Sequence, residues 1–241
     1  MTKILAIQGS DLKRVNLKTD TTILLAREAQ KRGYKIYYFE PENLSFLNGK
    51  VVALCKHIKI LNSKKKFYSL LKTINLNLEK SKVILIRNDP PFDNRYLYTT
   101  FLLNHISKKV RVINDPFAVR NVSEKLFSIN FMRYMPPTLI SENLNEIRNF
   151  FKRYKAVVAK PINGFSGNNV ILFKSFNAGK IKKLIKTHNH IFFQKFLPRV
   201  SKGDKRVFII KGRIVGAISR VPKKGSILSN MSKGAHAKLT K

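Results

Sequence analysis

Residues 157–173 read VVAKPINGFSGNNVILF, and this stretch decides the fold of the second half of the chain. The β-branched and aromatic residues at both of its ends predict two strands. Its middle is rich in glycine, serine and asparagine, which tolerate positive φ and leave backbone N–H groups free. Lys160, at the end of the first strand, would place an ammonium where the loop amides could hold a polyphosphate. The pattern predicts a strand–loop–strand unit that closes over phosphates, and the alternative is an ordinary β-hairpin loop.

The glycines of this loop match neither of the two common phosphate-binding motifs. Gly164 and Gly167 alone are weak evidence, because the loop lacks the Gly-x-x-x-x-Gly-Lys-Ser/Thr spacing and no Gly-x-Gly-x-x-Gly follows a strand. A different phosphate-binding design is therefore required.

The charge of the chain is strongly positive. Its 241 residues are enough for more than one domain, and 48 Lys and Arg against 13 Asp and Glu give a formal net charge of +35. Such a charge by itself suggests a nucleic acid or an anionic membrane as partner. The lysines, however, are spread between apolar periods and form no tail or single helix face. A basic nucleic-acid-binding protein therefore remains only an alternative, and we expect no membrane partner.

Cysteine usage and hydropathy bear on the compartment. Cys55 is the only cysteine, which excludes an intrachain disulfide and favours a reducing environment. The apolar run at the N-terminus is too short for a signal peptide, and no apolar segment is long enough to span a membrane. The sequence predicts a cytoplasmic protein.

The first half of the chain alternates strand and helix patterns. Apolar runs predict strands at residues 4–7, 35–39, 83–86 and 110–113, with helices after Asp20 and over residues 96–106. Asn48-Gly49 predicts a two-residue hairpin turn. Lys64-Lys65-Lys66 precedes apolar residues at helical spacing (Phe67, Leu70, Leu71, Ile74) and is interpreted as the start of a helix. These elements predict a Rossmann-like α/β domain.

Residues 87–93, RNDPPFD, follow a buried strand directly. Ligands of open α/β sheets bind beyond the carboxyl ends of the strands, so this is a candidate substrate loop. The alternative is a turn stiffened by its two prolines.

The second half predicts further elements around the loop. Helices are expected over residues 121–134, after the Asn143 cap with Glu146, and over residues 178–188. Residues 191–194 form a strand pattern, and residues 207–210 and 214–218 a hairpin.

Five motifs now stand in a recognisable order: residues 87–93, residues 121–126 (NVSEKL), Lys160-Pro161 with its loop, residues 194–198 (QKFLP) and residues 203–207 (GDKRV). This set closely resembles the prokaryotic-type glutathione synthetases of the ATP-grasp superfamily, over essentially the whole chain. The resemblance implies an α/β fold with an N-terminal substrate domain at residues 1–122. An ATP-grasp domain would follow, with a lid subdomain at residues 123–198 and an incomplete C-terminal subdomain at residues 199–241.

The resemblance also implies roles for individual residues. ATP would be bound by Lys125, Lys160, Gly164, Phe165, Ser166, Gly167, Gln194, Lys195, Phe196, Leu197 and Asp204. The substrate γ-glutamylcysteine would be held by Arg87, Asp89, Arg220 and Asn230, and Arg206 would be catalytic. Guanidinium groups suit carboxylates and an apolar strand suits a purine, in agreement with these roles.

The reaction implied by the resemblance is the ligation of γ-glutamylcysteine and glycine. ATP would phosphorylate the cysteinyl carboxylate, and the amine of glycine would attack the acyl phosphate. Positioning and charge neutralisation would dominate catalysis. The alternative within the superfamily is a ligase that joins a different acid and amine.

The sequence departs from the family pattern in two places. The Mg²⁺ ligands of the family lie beyond the position of Lys241, and after Glu146 the only carboxylate side chain is Asp204. Leu228 stands where the family usually has an arginine. We therefore expect this chain to be a poor ligase by itself. We also expect its apolar hairpin, residues 207–218, to associate with a second copy or with a complementing C-terminal piece.

Overall fold

The computed structural model describes residues 2–17, 20–63 and 66–239. The chain divides into two compact units, Met1–Ser123 and Glu124–Lys241. None of the described helices has the length and hydropathy of a membrane-spanning segment.

In the described part of the first unit, seven strands form one mixed sheet. The strands are β1 (Ile4–Gly9), β2 (Lys35–Phe39), β3 (Leu44–Leu47), β4 (Lys50–Ile60), β5 (Tyr68–Asn77), β6 (Val83–Arg87) and β7 (Arg111–Ile113). The helices are α1 (Thr21–Lys31), α2 (Asn94–Ile106) and α3 (Pro116–Asn121). The order is β3-β4-β2-β1-β6-β7, with β5 on β4, and the central strands β2, β1, β6 and β7 are parallel. Apolar side chains cover both faces, which is the burial that a parallel sheet requires.

Two local predictions for this unit are confirmed. The Asp20 carboxylate accepts a hydrogen bond from the Ile23 backbone N–H at 2.7 Å and so begins α1. Asn48 and Gly49 both have positive φ, 47° and 81°, as a two-residue turn between antiparallel strands demands.

The helix predicted after Lys64-Lys65-Lys66 is wrong. Lys64 and Lys65 lie outside the described residues, but the run that follows is the strand β5, paired antiparallel with almost the whole of β4. Leu70 and Leu71, which suggested a helical face, are more than half exposed, whereas Leu76 is buried. Cross-strand pairing with β4 therefore overrides the local spacing of apolar residues.

The described part of the second unit contains two sheets. The β8–β11 sheet consists of β8 (Thr138–Ser141), β9 (Val157–Pro161), β10 (Ile171–Phe173) and β11 (Ile191–Lys195), antiparallel in the order β10-β9-β11-β8. The β12–β14 sheet consists of β12 (Asp204–Ile210), β13 (Arg213–Val221) and β14 (His236–Leu239). The helices are α4 (Leu144–Tyr154) and α5 (Ala178–His188). The predicted strand–loop–strand unit is confirmed as β9, its loop and β10, and the predicted hairpin as β12 and β13.

The helix predicted over residues 121–134 is also wrong. Helix α3 ends at Asn121, and Leu126–Tyr134 is a 3-10 segment broken at Phe131, whose φ and ψ are −124° and 35°. The apolar side chains on which the prediction depended, among them Phe127 and Ile129, are exposed. Without a buried face, a regular helix lacks the tertiary packing that normally stabilises it.

Candidate functional site

The two faces of the β8–β11 sheet differ sharply because successive side chains of a strand point to opposite sides. On one face, Val157, Ala159 and Phe193 are fully buried against α4 and α5. On the other face lie Lys160 and Gln194, which line an open cleft. The alternation along β9 and β11 thus places one half-buried ammonium on the cleft face of the sheet.

Lys160 is held by a hydrogen bond to a neighbouring strand. Its Nζ donates to Oε1 of Gln194 at 2.7 Å, and Nε2 of Gln194 donates to Oγ1 of Thr138 at 3.0 Å. Burial lowers the pKa of the Lys160 ammonium, and the positive charge of Lys125 lowers it further. An anion placed beside Lys160 would relieve both effects.

Lys125 lies under the start of the glycine loop, residues 163–169. Its Nζ donates to the carbonyl oxygens of Ile162, at 3.1 Å, and of Gly164. Burial lowers the pKa of Lys125 as well. Two partly desolvated ammonium groups that repel each other form a site that favours a polyanion.

The glycine loop contacts the segment that follows β13. Ser166 and Ser232 hydroxyls lie 2.5 Å apart, and Nζ of Lys233 donates to Oδ1 of Asn168 at 2.8 Å. At Gly167, φ is +75°, and a Cβ would lie 2.7 Å from Oδ1 of Asn230, so that only glycine suits this position. These contacts join the glycine loop, which lines the same cleft as Lys160, to the segment after β13.

Two adjoining clefts share Lys160, Val170, Gln194, Asp204 and Asn230. The polar cleft has a volume of about 390 Å³ and is also lined by Lys125, Gly164, Phe165, Ser166, Gly167 and Arg220. The apolar cleft has a volume of about 450 Å³ and is lined by Val158, Val170, Lys195, Phe196, Leu197 and Leu228 among others. The structure therefore brings together every residue predicted to bind ATP. A cationic cleft continuous with an apolar one has the chemistry needed for a polyphosphate joined to a flat base.

Arg220, predicted to hold the substrate, binds Asp204, predicted to bind ATP, at the edge of the polar cleft. Nε and Nη2 of Arg220 donate to the two carboxylate oxygens of Asp204, at 2.8 and 2.7 Å. Arg206, two residues along β12 from Asp204, is exposed and lines neither cleft. The predicted catalytic role of Arg206 stays a prediction.

The donor set for a metal ion is poor. The described residues contain no cluster of three or more His, Cys, Asp or Glu side chains able to hold one. Of the carboxylates that line the polar cleft, Asp204 is bound to Arg220 and Glu124 adjoins the lysine pair. Magnesium prefers carboxylate and phosphate oxygens in near-octahedral geometry. The described residues do not fit a magnesium site.

Arg87 and Asp89, also predicted to hold the substrate, line a pocket of about 320 Å³ in the first unit, at the carboxyl ends of β1 and β6. Arg87 donates to the hydroxyls of Thr21 and Thr22, at 2.7 and 3.1 Å. Asp89 accepts from the Ser10 hydroxyl at 2.9 Å. The sheet order changes direction between β1 and β6, which is where open α/β sheets bind ligands.

Sequence reasoning missed several polar residues of these sites. Ser10 and Tyr38 line the pocket of the first unit, and Tyr38 donates to the Ser10 carbonyl oxygen at 2.5 Å. In the second unit, Thr138 accepts a hydrogen bond from the predicted residue Gln194, and Asn168 lines the polar cleft. A lone polar residue on a strand carries no sequence signal until its cross-strand neighbour is known.

We expect Gly9→Ala to destabilise the first unit. A Cβ at Gly9 would overlap the hydroxyl of Tyr38, a buried side chain that cannot move aside freely. Overpacking of this kind costs about 1–3 kcal/mol. Hydrogen exchange should become faster in β1 and β2, whereas Gly216→Ala on β13, where a Cβ meets nothing within 4 Å, should leave exchange unchanged. Equal exchange rates in Gly9→Ala and the unmodified protein would contradict this reading of the Gly9–Tyr38 contact.

The architecture is that of an ATP-grasp ligase. The solved structure of D-cycloserine synthetase DcsG matches it with a TM-score of 0.65 at 14% identity, covering 99% of this chain and 75% of that protein. The family models for the prokaryotic glutathione synthetase N-terminal domain and ATP-grasp domain match residues 4–120 and 124–241. The chain belongs to the prokaryotic glutathione synthetase family.

Individual relatives support the same family. A glutathione synthetase of Rhodopseudomonas palustris is 37% identical over 244 residues, covering 100% of this chain and 78% of the relative. A glutathione synthetase of Bradyrhizobium diazoefficiens is 37% identical over 239 residues, covering 98% and 76%.

Proposed function

We propose that this protein is a glutathione synthetase, which uses ATP to join γ-glutamylcysteine and glycine. The observation that carries the proposal is the family match, which extends through both units. The cleft of the second unit supports it because two half-buried lysines, Lys125 and Lys160, line it together with a glycine-rich loop.

In this proposal, the phosphates of ATP lie in the polar cleft and the adenine in the apolar cleft. Lys125 and Lys160 pair with the phosphates, and loop residues Gly164–Gly167 cover them. Phe196 and Leu197 contact the base, and Asp204 lies at the boundary between the clefts, where the ribose would be. Residues 123–198 would act as the lid subdomain and residues 199–241 as part of the C-terminal subdomain.

The proposed reaction has two steps. The γ-phosphoryl group of ATP passes to the cysteinyl carboxylate, giving an acyl phosphate and ADP. The glycine amine then attacks the acyl carbon, and phosphate leaves as the amide bond forms. Arg220, which lines the polar cleft, would neutralise charge on the transferring group, and Arg87 and Asp89 would bind the γ-glutamyl end in the pocket of the first unit. Such a site accelerates the reaction by positioning and electrostatics.

The test is the formation of glutathione by the purified protein, at a low rate because the described residues do not fit a magnesium site. Mass spectrometry should detect glutathione, with an equal amount of ADP, only when ATP, γ-glutamylcysteine and glycine are all present. ADP formation that ignores γ-glutamylcysteine would contradict the proposed substrate.

A second candidate is an ATP-grasp ligase with another acid and amine, because the fold is shared with D-cycloserine synthetase. A screen of carboxylic acids and amines for ADP formation separates the two candidates. A different pair used in preference to γ-glutamylcysteine and glycine would favour the second.

We expect ATP binding to depend little on Mg²⁺. The polar cleft offers three cationic side chains, and one of its two carboxylates is occupied by Arg220. Isothermal titration in EDTA and in MgCl₂ should give dissociation constants within about threefold, or about 0.7 kcal/mol. A dependence on Mg²⁺ greater than tenfold would contradict this expectation and show that the protein prefers the metal-bound nucleotide.

A further inference from the structure

The orientation of the Gln194 carboxamide is fixed by its two neighbours. Lysine has only N–H donors, so the Gln194 atom that faces Lys160 must be the oxygen. The amide nitrogen then points toward Thr138, directly opposite Gln194 on β8. Gln194 is only 8% exposed, so water is a poor replacement for either partner.

The hydroxyl of Thr138 completes a one-directional chain of hydrogen bonds. Its own proton is donated to the carbonyl oxygen of Pro136 at 2.8 Å, which leaves the Thr138 oxygen free to accept from Gln194. From Lys160 through Gln194 and Thr138 to Pro136, every donor therefore faces an acceptor. A carboxamide turned the other way would direct its NH₂ group at an ammonium.

We propose that Thr138 is a positioning residue of the nucleotide site, which acts by holding the Gln194 carboxamide oxygen toward Lys160. This inference rests on the proposed ATP site. Thr138 itself lines neither cleft, so it would not contact ATP directly. Through Gln194 it would keep one Lys160 N–H occupied within the sheet, leaving the others to face the phosphates.

The variant Thr138→Val tests the proposal because valine keeps the shape and the strand preference of threonine. Valine offers no acceptor to the Gln194 NH₂ group, so the carboxamide is free to turn. Lys160 then loses the carboxamide oxygen that stabilises its ammonium form. We expect the pKa of Lys160 to fall, measured without nucleotide by competitive acetic anhydride labelling over pH, with Lys174 as internal reference. The ATP dissociation constant should rise about threefold to tenfold.

Two variants serve as controls. Thr138→Ser keeps the hydroxyl and should restore both the pKa and the affinity. Thr187→Val removes a hydroxyl that donates to the Lys183 carbonyl on an exposed turn of α5, and it should change neither.

The coupling to Gln194 decides between positioning and general structure. In a Gln194→Ala background, Thr138→Val should change ATP affinity less than about twofold. Multiplicative effects of the two substitutions would overturn the proposal. So would an unchanged Lys160 pKa in folded Thr138→Val. If Thr138→Val does not fold, an unaltered Lys160 pKa in Thr138→Ala would overturn it equally. A shifted Lys160 pKa in a protein that does not bind ATP would support the hydrogen-bond chain and count against the proposed function instead.

Discussion

Replacing Lys160 by alanine is expected to raise the ATP dissociation constant about tenfold to a hundredfold, since a charge-assisted hydrogen bond contributes about 1.5–3 kcal/mol. Lys160 is the cation at the centre of the polar cleft, and its pKa is lowered by burial and by Lys125. A bound phosphate would offset both penalties, so more than an ordinary surface contact is lost. Isothermal titration of the variant with ATP measures the effect.

The matched control for Lys160 is Lys174, an exposed lysine just beyond β10. Lys174→Ala removes the same charge from the same unit, and ATP affinity should stay within about twofold. Equal losses in the two variants would mean that the overall charge of +35, and no particular site, attracts the nucleotide.

Phe193→Ala is expected to lower the free energy of unfolding of the second unit by about 3–5 kcal/mol, the usual cost of removing a buried aromatic ring. Phe193 is fully buried and packs edge to face on Phe151, with ring centroids 6.4 Å apart. It lies on the same strand as Gln194 but points to the opposite face. Urea denaturation followed by circular dichroism gives the change in stability.

Phe208→Ala supplies the comparison, because the Phe208 side chain on β12 is 46% exposed. Its loss should change stability by less than about 0.5 kcal/mol. If Phe193→Ala were as stable as Phe208→Ala, the Phe193 ring would not belong to the core between the β8–β11 sheet and its helices.

Several parts of the site could be predicted from residues 157–173 alone. The β-branched and aromatic residues at both ends of this stretch, around a loop tolerant of positive φ, predicted a strand, a loop and a second strand. Ser166, Gly167 and Asn169 do adopt positive φ in that loop. The motif order was enough to indicate the family, which the matches over residues 4–120 and 124–241 confirm.

The sequence by itself determined features that depend on a few adjacent residues: the Asp20 cap, the Asn48-Gly49 turn and the β9 loop. Such features are set by side-chain hydrogen bonds and φ preferences within four residues. Only the tertiary structure decided that residues 68–77 form a strand and that residues 126–134 lack a regular helix. It also decided that Arg220 binds Asp204 and that Thr138 holds Gln194. These outcomes depend on partners that are distant in the chain, and their energies appear only when the strands have paired.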